Sequence, residues 1–247
     1  MLRRLALGLS LGAMSFAAYA ICPYTFELDE VSLQEGAGRL FRDYNDAIAQ
    51  LRDESSGVTL GTGFLVDRET GLYLTAKHVI EEAQGENPWI VAVHIMRPDV
   101  APVALRVLWT HDTQDFGALA IRDEVERPLP FSELGNVSFE VPRVGDNGVA
   151  FMSSDLDGER NVRPHDAKVV GLLPRQSLLQ VQTELRPGDS GGALVDLRGQ
   201  VVAVTTAKYG RDPTEVIGQF TPLYALMGSL GSTPFPRTVL KRLKTSG

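Results

Sequence analysis

Gly188-Asp189-Ser190-Gly191-Gly192 sets one hydroxyl among three glycines, a composition that lets backbone N–H groups crowd around a serine. That is what an acyl-transfer nucleophile requires: a base to take the hydroxyl proton, and donors to hold the oxyanion that forms on the attacked carbonyl. The Gly188 and Ser190 N–H groups are the natural donors. Alone, the same run reads equally as a Gly-rich turn before a strand beginning Ala193-Leu194-Val195. Whether a histidine and a carboxylate occur in matching contexts decides between the two readings.

Four histidines are available: His78, His94, His111 and His165. His78 ends Leu72-Tyr73-Leu74-Thr75-Ala76-Lys77-His78, an apolar strand that gives way to small residues, so it is rigidly placed yet open to a cleft. His94 lies within Trp89-Ile90-Val91-Ala92-Val93-His94-Ile95, where strand character points to a structural or outward-facing role. His111 and His165 sit beside Asp112 and Asp166 in polar stretches and read as solvated loop residues. For the carboxylate, Asp115 leads directly into Phe116-Gly117-Ala118-Leu119-Ala120-Ile121. Half buried there, it can accept the histidine Nδ1–H and fix its tautomer. Asp112 has no apolar run directly behind it and reads as a turn residue.

These three blocks, in the order His, Asp, Ser, resemble the chymotrypsin-like (trypsin-like) serine peptidases, particularly the bacterial branch that includes periplasmic DegP/HtrA proteases. Thr75-Ala76-Lys77-His78 looks like the family's Thr-Ala-x-His block, preceded by Gly61-Thr62-Gly63-Phe64 as its Gly-x-Gly-Phe strand. Asp115-Phe116-Gly117-Ala118-Leu119 resembles the aspartate block, with Gly117 and Ala118 smaller than usual. Pro187–Val195 resembles the nucleophile block closely. Other triad folds use other orders. The resemblance spans about residues 46–226 and implies catalytic His78, Asp115 and Ser190, an oxyanion hole from Gly188 and Ser190, peptide or protein substrates, and no metal or organic cofactor. No PDZ-sized extension is visible.

The elements that must position these residues are short strands separated by turn signals. They are expected at Ala47–Arg52, Gly61–Asp67, Leu72–Ala76, Trp89–Met96, Val103–Trp109 and Asp115–Ile121. A second set is expected at Gly148–Met152, Ala167–Leu173, Leu178–Thr183, Ala193–Asp196, Val201–Thr206 and Ile217–Thr221. A short helix is expected at Val79–Ala83, a weaker helical pattern at 27–45 through Leu33, Leu40, Phe41 and Tyr44, and a terminal helix at Leu223–Leu230. The fold class is all-β. With the resemblance, it is two six-stranded antiparallel barrels, about 46–121 and 131–226, with the active site in the cleft between them. The charged, proline-containing segment Arg122–Pro130 suits either a linker or a surface loop.

The resemblance also maps a substrate pocket onto Glu184, Thr206-Ala207-Lys208 and Gly218-Gln219-Phe220-Thr221. Glu184 at its floor would select a basic P1 residue. Pointing outward, or paired with Lys208 or Arg186, it would not. No Ile-Val-Gly-Gly-like start precedes Ala47, so Asp189 is expected to have a local partner and not an Ile21 terminus.

Residues 1–20 carry Arg3 and Arg4, an apolar run from Leu5 to Ala18 and Ala18-Tyr19-Ala20, the form of a cleaved secretory signal. Residues 21–45 then read as an N-terminal extension and 227–247 as a tail. Export to the periplasm or beyond follows, without stable membrane insertion. The net charge of −7 becomes −9 without the signal, which disfavours nucleic acid and anionic bilayers as partners. Cys22 is the one cysteine, so no internal disulfide forms, and its thiol is left either free or paired with another chain. Two further functional classes stay open at this level: a binding or regulatory protein on the same fold, and an esterase using the same triad. Oligomeric state is not legible.

Overall fold

The computed structural model describes residues 30–83, 89–122, 128–156, 159–209 and 217–226. The chain enters as helix α1 (Glu30–Tyr44), whose Leu40 reaches the core while Ala37, Phe41 and Tyr44 pack against it. The first barrel comprises β1 (Ile48–Asp53), β2 (Thr59–Asp67), β3 (Leu72–Thr75), β4 (Ile90–Val93), β5 (Val103–Thr110) and β6 (Gly117–Ile121), with helix α2 (Lys77–Glu81) after β3. Its strands close in the order β1-β2-β3-β6-β5-β4.

The second barrel comprises β7 (Asn147–Leu156), β8 (Glu159–Leu173), β9 (Leu178–Gln182), β10 (Ala193–Asp196), β11 (Val201–Tyr209) and β12 (Ile217–Pro222), closed as β10-β11-β12-β9-β8-β7. All ladders within the barrels are antiparallel. This is the expected all-β, double-barrel architecture.

Strand sequence explains strand burial. β4 alternates buried and half-buried residues, the period of two that a barrel wall with one covered face imposes. β2 is buried at seven consecutive positions because one face lines its barrel while the other meets the second barrel. β1 and β2 pack on β7, and one apolar cluster runs from Phe64 and Tyr73 through to Phe151, Val195 and Val204. A smaller cluster around Met152, Val181, Leu194 and Phe220 fills the second barrel. The connection between barrels is anchored by Leu129 and Phe131 in the shared core and by Leu134 N–H bonding Leu65 C=O at 2.8 Å.

Several boundaries differ from the sequence expectation. β8 starts at Glu159, eight residues before the expected Ala167, and pairs with β7 at ten positions from Leu156↔Glu159 to Asn147↔Lys168. Its first half is polar, and a strand exposed along much of one side lacks the apolar signal that marks a core strand. β4 stops at Val93 because Arg97 N–H bonds His94 C=O at 2.9 Å, closing a turn where strand was expected. α2 starts two residues early, β6 two residues late, and the first part of the expected terminal helix, Leu223–Leu226, is a 3₁₀ turn, its remainder lying outside the described residues. The expected signal, Cys22, Ile21 and the tail from 227 lie outside the described residues.

Candidate active site

His78 occupies the first turn of α2, where the chain leaves β3 through the extended Ala76 (φ −76°, ψ 148°). Its backbone N–H donates to Asp115 Oδ1 at 2.9 Å, and its Nδ1 lies 2.7 Å from Asp115 Oδ2. An ionised carboxylate only accepts, so Nδ1 carries the proton and Nε2 is left as the basic nitrogen. The hydrogen bond to Asp115 raises the His78 pKa above its ordinary 6.5. Burial opposes the shift, and the charges of Asp115, Glu82 and Glu81 add to it. Asp115 stands in the turn between β5 and β6, with Phe116 buried behind it.

Ser190 lies across the barrel interface on the loop leading into β10. Ser190 C=O accepts the Thr62 N–H of β2 at 2.7 Å. A Cβ built on Gly191 would lie 2.2 Å from Thr75 Oγ1 and 3.1 Å from Ala76 N, so the backbone after the serine rests directly on the segment that leads into His78. A Cβ on Gly61 would strike Ser190 C=O and a methyl of Val79, both at 2.7 Å. Glycines at these two positions are what permit the two barrels to meet closely enough to bring serine and histidine blocks together. Ser190 Oγ is partly buried, 3.4 Å from Thr206 C=O.

Ahead of the serine, Arg186-Pro187-Gly188-Asp189 forms a tight turn closed by Asp189 N–H on Arg186 C=O at 3.1 Å. Pro187 at the second position and Gly188 at the third, with φ +91°, are the residues a type II turn demands. Asp189 locks the turn from the other direction, its Oδ2 accepting Arg186 N–H at 2.5 Å. Among the described residues, neither the Gly188 nor the Ser190 N–H has an acceptor.

Asp189 is 1% exposed, and burial pushes its pKa up to about 6 against the opposing effects of the Arg186 N–H and Arg163. Arg163 on β8 approaches Asp189 Oδ1 at 3.6 Å. The local partners expected of Asp189 are thus the Arg186 amide and the Arg163 guanidinium.

The pocket positions separate. Thr206, Ala207 and Lys208 all belong to β11: Thr206 shares a hydroxyl–hydroxyl bond of 2.9 Å with Thr221 beside Ser190, and Lys208 is registered opposite Gly218. Glu184 is half exposed and bonded to Arg186 Nε at 2.6 Å, which holds its carboxyl below the usual range; its other neighbour is His165 Nδ1 at 3.9 Å. Of the orientations left open by the sequence, this is the pairing with Arg186. Leu185, which the sequence reading passed over, turns inward instead: it is 7% exposed, and its Cδ1 is 2.5 Å from where a Gly218 Cβ would stand. Its signal was a lone apolar residue between Glu184 and Arg186. A cavity of about 670 Å³ in the second barrel, lined by Phe139, Val141, Pro142, Val169 and Val202, contains none of these residues.

Two histidine expectations are corrected. His111 is not solvated: it is 4% exposed, and its Nδ1 accepts the Thr113 and Gln114 N–H groups at 3.1 and 3.0 Å. His165 is on β8 and mostly buried, because that strand extends through the polar stretch taken for a loop. Burial lowers the pKa of both. His94 is structural, as one of its two expected roles had it. Its Nδ1 donates to Asp46 C=O and its Nε2 accepts Tyr73 O–H, both at 2.8 Å, while its ring stacks on Phe131 and burial lowers its pKa to about 4.

Comparison with known proteins places the chain in a family. The profile of the trypsin-like peptidase domain matches residues 61–204. The chain is 27% identical over 162 residues to a probable periplasmic serine endoprotease DegP-like of Chlamydia trachomatis, covering 64% of this chain and 30% of that protein. It is 25% identical over 156 residues to the periplasmic pH-dependent serine endoprotease DegQ of Escherichia coli, covering 60% and 31%. It therefore spans about 30% of the length of these relatives.

Among solved structures, the inactive form of the Rv3671c protease matches with a TM-score of 0.60 at 20% identity, over 83% of this chain and 96% of that one. The serine endoprotease from Yersinia pestis matches with 0.60 at 19%, over 84% and 66%. These structural likenesses speak to the fold. No helix among the described residues is long and apolar enough to cross a membrane.

Proposed function

Because the chain belongs to the trypsin-like peptidase family, we propose that it is an exported serine endopeptidase acting through Ser190, His78 and Asp115. The observation that carries the reading is the pair of hydrogen bonds that His78 donates to Asp115, from its backbone N–H and from Nδ1, beside a serine loop seated on Thr75 and Ala76.

In this mechanism His78 Nε2 takes the Ser190 proton as Oγ attacks the scissile carbonyl, and the Gly188 and Ser190 N–H groups receive the oxyanion. His78 then returns the proton to the leaving amine, giving an acyl-enzyme. Water, activated by the same Nε2, releases the acyl group and restores the serine. Asp115 keeps the imidazole in the tautomer that each step needs and stabilises the imidazolium between them. The upward-shifted His78 pKa supports this role. Substrates are peptides or proteins, and the signal-like first twenty residues and the periplasmic relatives support export.

The test is turnover of a quenched fluorescent peptide library by the purified protein, with fluorophosphonate labelling in parallel. Ser190→Ala and His78→Ala each should lower kcat by about 10⁴-fold or more, and the double variant should be little worse. Ser190→Ala should also abolish labelling. Wild-type turnover by Ser190→Ala, free of contaminating protease, would refute the mechanism. Labelling with ester but not peptide turnover would mark an esterase, and no labelling of the wild type a binding protein.

A further inference from the structure

We propose that His111 is a positioning residue for Asp115, a neutral imidazole that holds the β5–β6 turn in the shape that presents the carboxylate to His78; this rests on the triad reading above.

Asp115 is held by a short irregular turn running from His111 to Phe116, between the ends of β5 and β6. The turn is closed by His111 N–H on Phe116 C=O at 3.0 Å and by Phe116 N–H on Gln114 C=O at 2.9 Å. Those two bonds tie the ends of the turn and leave the Thr113 and Gln114 N–H groups to be satisfied. Both point at His111 Nδ1, at 3.1 and 3.0 Å. Gln114 is the residue immediately before Asp115, so the imidazole fixes the Thr113–Gln114 peptide, one step ahead of the carboxylate's own residue.

Only an unprotonated Nδ1 can accept, so the proton of the ring is on Nε2 and the ring is uncharged. The environment suits that state. His111 is 4% exposed, its ring meets the edge of Trp109 at 5.5 Å, and Trp109 meets Phe116 at 6.1 Å. The imidazole is therefore wedged between the turn and the aromatic side chains of the hairpin that flanks it. Burial disfavours the charged ring, and the positive charge of Lys77 adds to this while Asp112 opposes it.

The arrangement has a simpler equivalent. Asparagine and aspartate commonly accept N–H groups two and three residues ahead through a side-chain oxygen placed, like Nδ1, one atom beyond Cγ. His111 performs that task with a larger, apolar-backed ring. Substitution by asparagine should then keep the turn, whereas leucine, similar in bulk but without an acceptor, should release it.

The consequence for catalysis lies in distance. The two Asp115–His78 bonds are 2.9 and 2.7 Å, and a carboxylate displaced by about 1 Å costs on the order of 10²-fold in rate. The proposed role acts through the placement of Asp115 and not through binding, so the loss is expected on kcat and not on KM.

The experiment compares the whole wild-type protein with His111→Leu, His111→Asn and Ser190→Ala. It measures kcat and KM on the peptide library, the acid limb of kcat/KM, and the downfield proton resonance of the His78 Nδ1–H, which reads the bond to Asp115 without turnover. Heat denaturation shows which variants are folded. His111→Leu is expected to lower kcat by about 10- to 100-fold with KM within about twofold, to move the acid limb to lower pH, and to shift or lose the resonance.

His111→Asn is expected to restore all three to within about threefold or to the wild-type position. A leucine variant with unchanged kcat and resonance, or an asparagine variant as impaired as leucine, overturns the proposal. If the leucine variant does not fold, an asparagine variant that folds but loses the resonance overturns it equally. Turnover surviving in Ser190→Ala would instead overturn the triad, and the resonance would still decide the role of His111.

Discussion

The Thr62 hydroxyl, on the first barrel, donates to Gly188 C=O, on the oxyanion turn of the second, at 2.8 Å. The same oxygen accepts the Ser153 N–H at 3.0 Å and meets Ser153 Oγ at 3.0 Å, while Thr62 is fully buried. With its backbone N–H on Ser190 C=O, Thr62 therefore grips the serine loop on both sides of Asp189. Its own carbonyl accepts Thr75 Oγ1 at 2.7 Å, which carries the connection on toward His78. The serine and histidine blocks are thus registered against each other through one residue of β2, by its hydroxyl and both its backbone polar groups.

Thr62→Val keeps the shape and removes the hydroxyl. It should leave Gly188 C=O and Ser153 N–H without a partner and cost about 1–3 kcal/mol of stability by denaturant unfolding. Turnover should fall further than stability explains, because the oxyanion turn loses its tether. A valine variant with wild-type kcat would show that the turn does not depend on the Thr62 hydroxyl.

Asp115→Asn should lower kcat by about 10⁴-fold near neutral pH, since an amide stabilises the wrong His78 tautomer. Asp112 is exposed one residue after His111 and makes no bond to His78. Asp112→Asn should change kcat little. Steady-state kinetics of the two variants decide, and the reverse ranking would move the orienting role to Asp112.

The pH profile follows from His78. Catalysis needs its neutral form, and the bond to Asp115 raises its pKa above 6.5, so kcat/KM should fall as pH drops through that raised value. The linkage to stability has the opposite sense. A raised folded pKa favours the imidazolium, so this contribution is fully present below the unfolded value and is lost as pH rises through the folded one. Titration of the His78 ring by NMR in wild type and in Asp115→Asn should show the lower pKa in the variant. An unchanged pKa would mean that Asp115 does not govern it.

Asp189 has a raised pKa of about 6 through burial. The protonated form is favoured in the folded protein, so its contribution to stability is present at low pH and is lost as pH rises through about 6. Asp189→Asn keeps an oxygen for the Arg186 N–H and carries no charge. Its melting temperature relative to wild type should therefore rise between about pH 4 and about pH 6 and level off above. A flat difference across that range would show that Arg163 compensates the ionised carboxylate fully, and a decline that the pKa is lowered instead.

The sequence revealed what is local. The histidine at a strand end, the aspartate before an apolar run and the serine among glycines each lie within a few residues, and twelve strands in two sets follow from apolar patterning. What escaped depends on partners far along the chain or on backbone groups. Thr62 and Gly188 are 126 residues apart, and nothing in Gly61-Thr62-Gly63 distinguishes a tether from an ordinary strand threonine. His111 reads as solvated from the sequence because its partners are amides of the following turn, which leave no mark on residue type. The first half of β8 reads as loop because its neighbour across the ladder, β7, and not its own hydrophobicity, holds it extended.

Specificity for P1 should turn on Leu185 and not on Glu184. The Glu184 carboxylate lies beside Arg186, half exposed, while Leu185 covers Gly218. If Gly218 and the strand after the nucleophile wall the primary pocket, its interior is apolar and short, and small apolar P1 residues such as Ala or Val should be preferred over Arg or Lys. Glu184→Gln should then leave the ratio of kcat/KM between basic and apolar P1 peptides within about twofold, since an exposed pair already neutralised by Arg186 contributes little. Leu185→Ala should open space above Gly218 and shift preference toward larger apolar side chains such as Leu or Phe. Each added methylene in such a pocket is worth about 1–3 kcal/mol in discrimination. A P1-varied peptide series measures both variants. A selective loss of Arg and Lys substrates in Glu184→Gln would place that carboxylate in the pocket and overturn the apolar assignment.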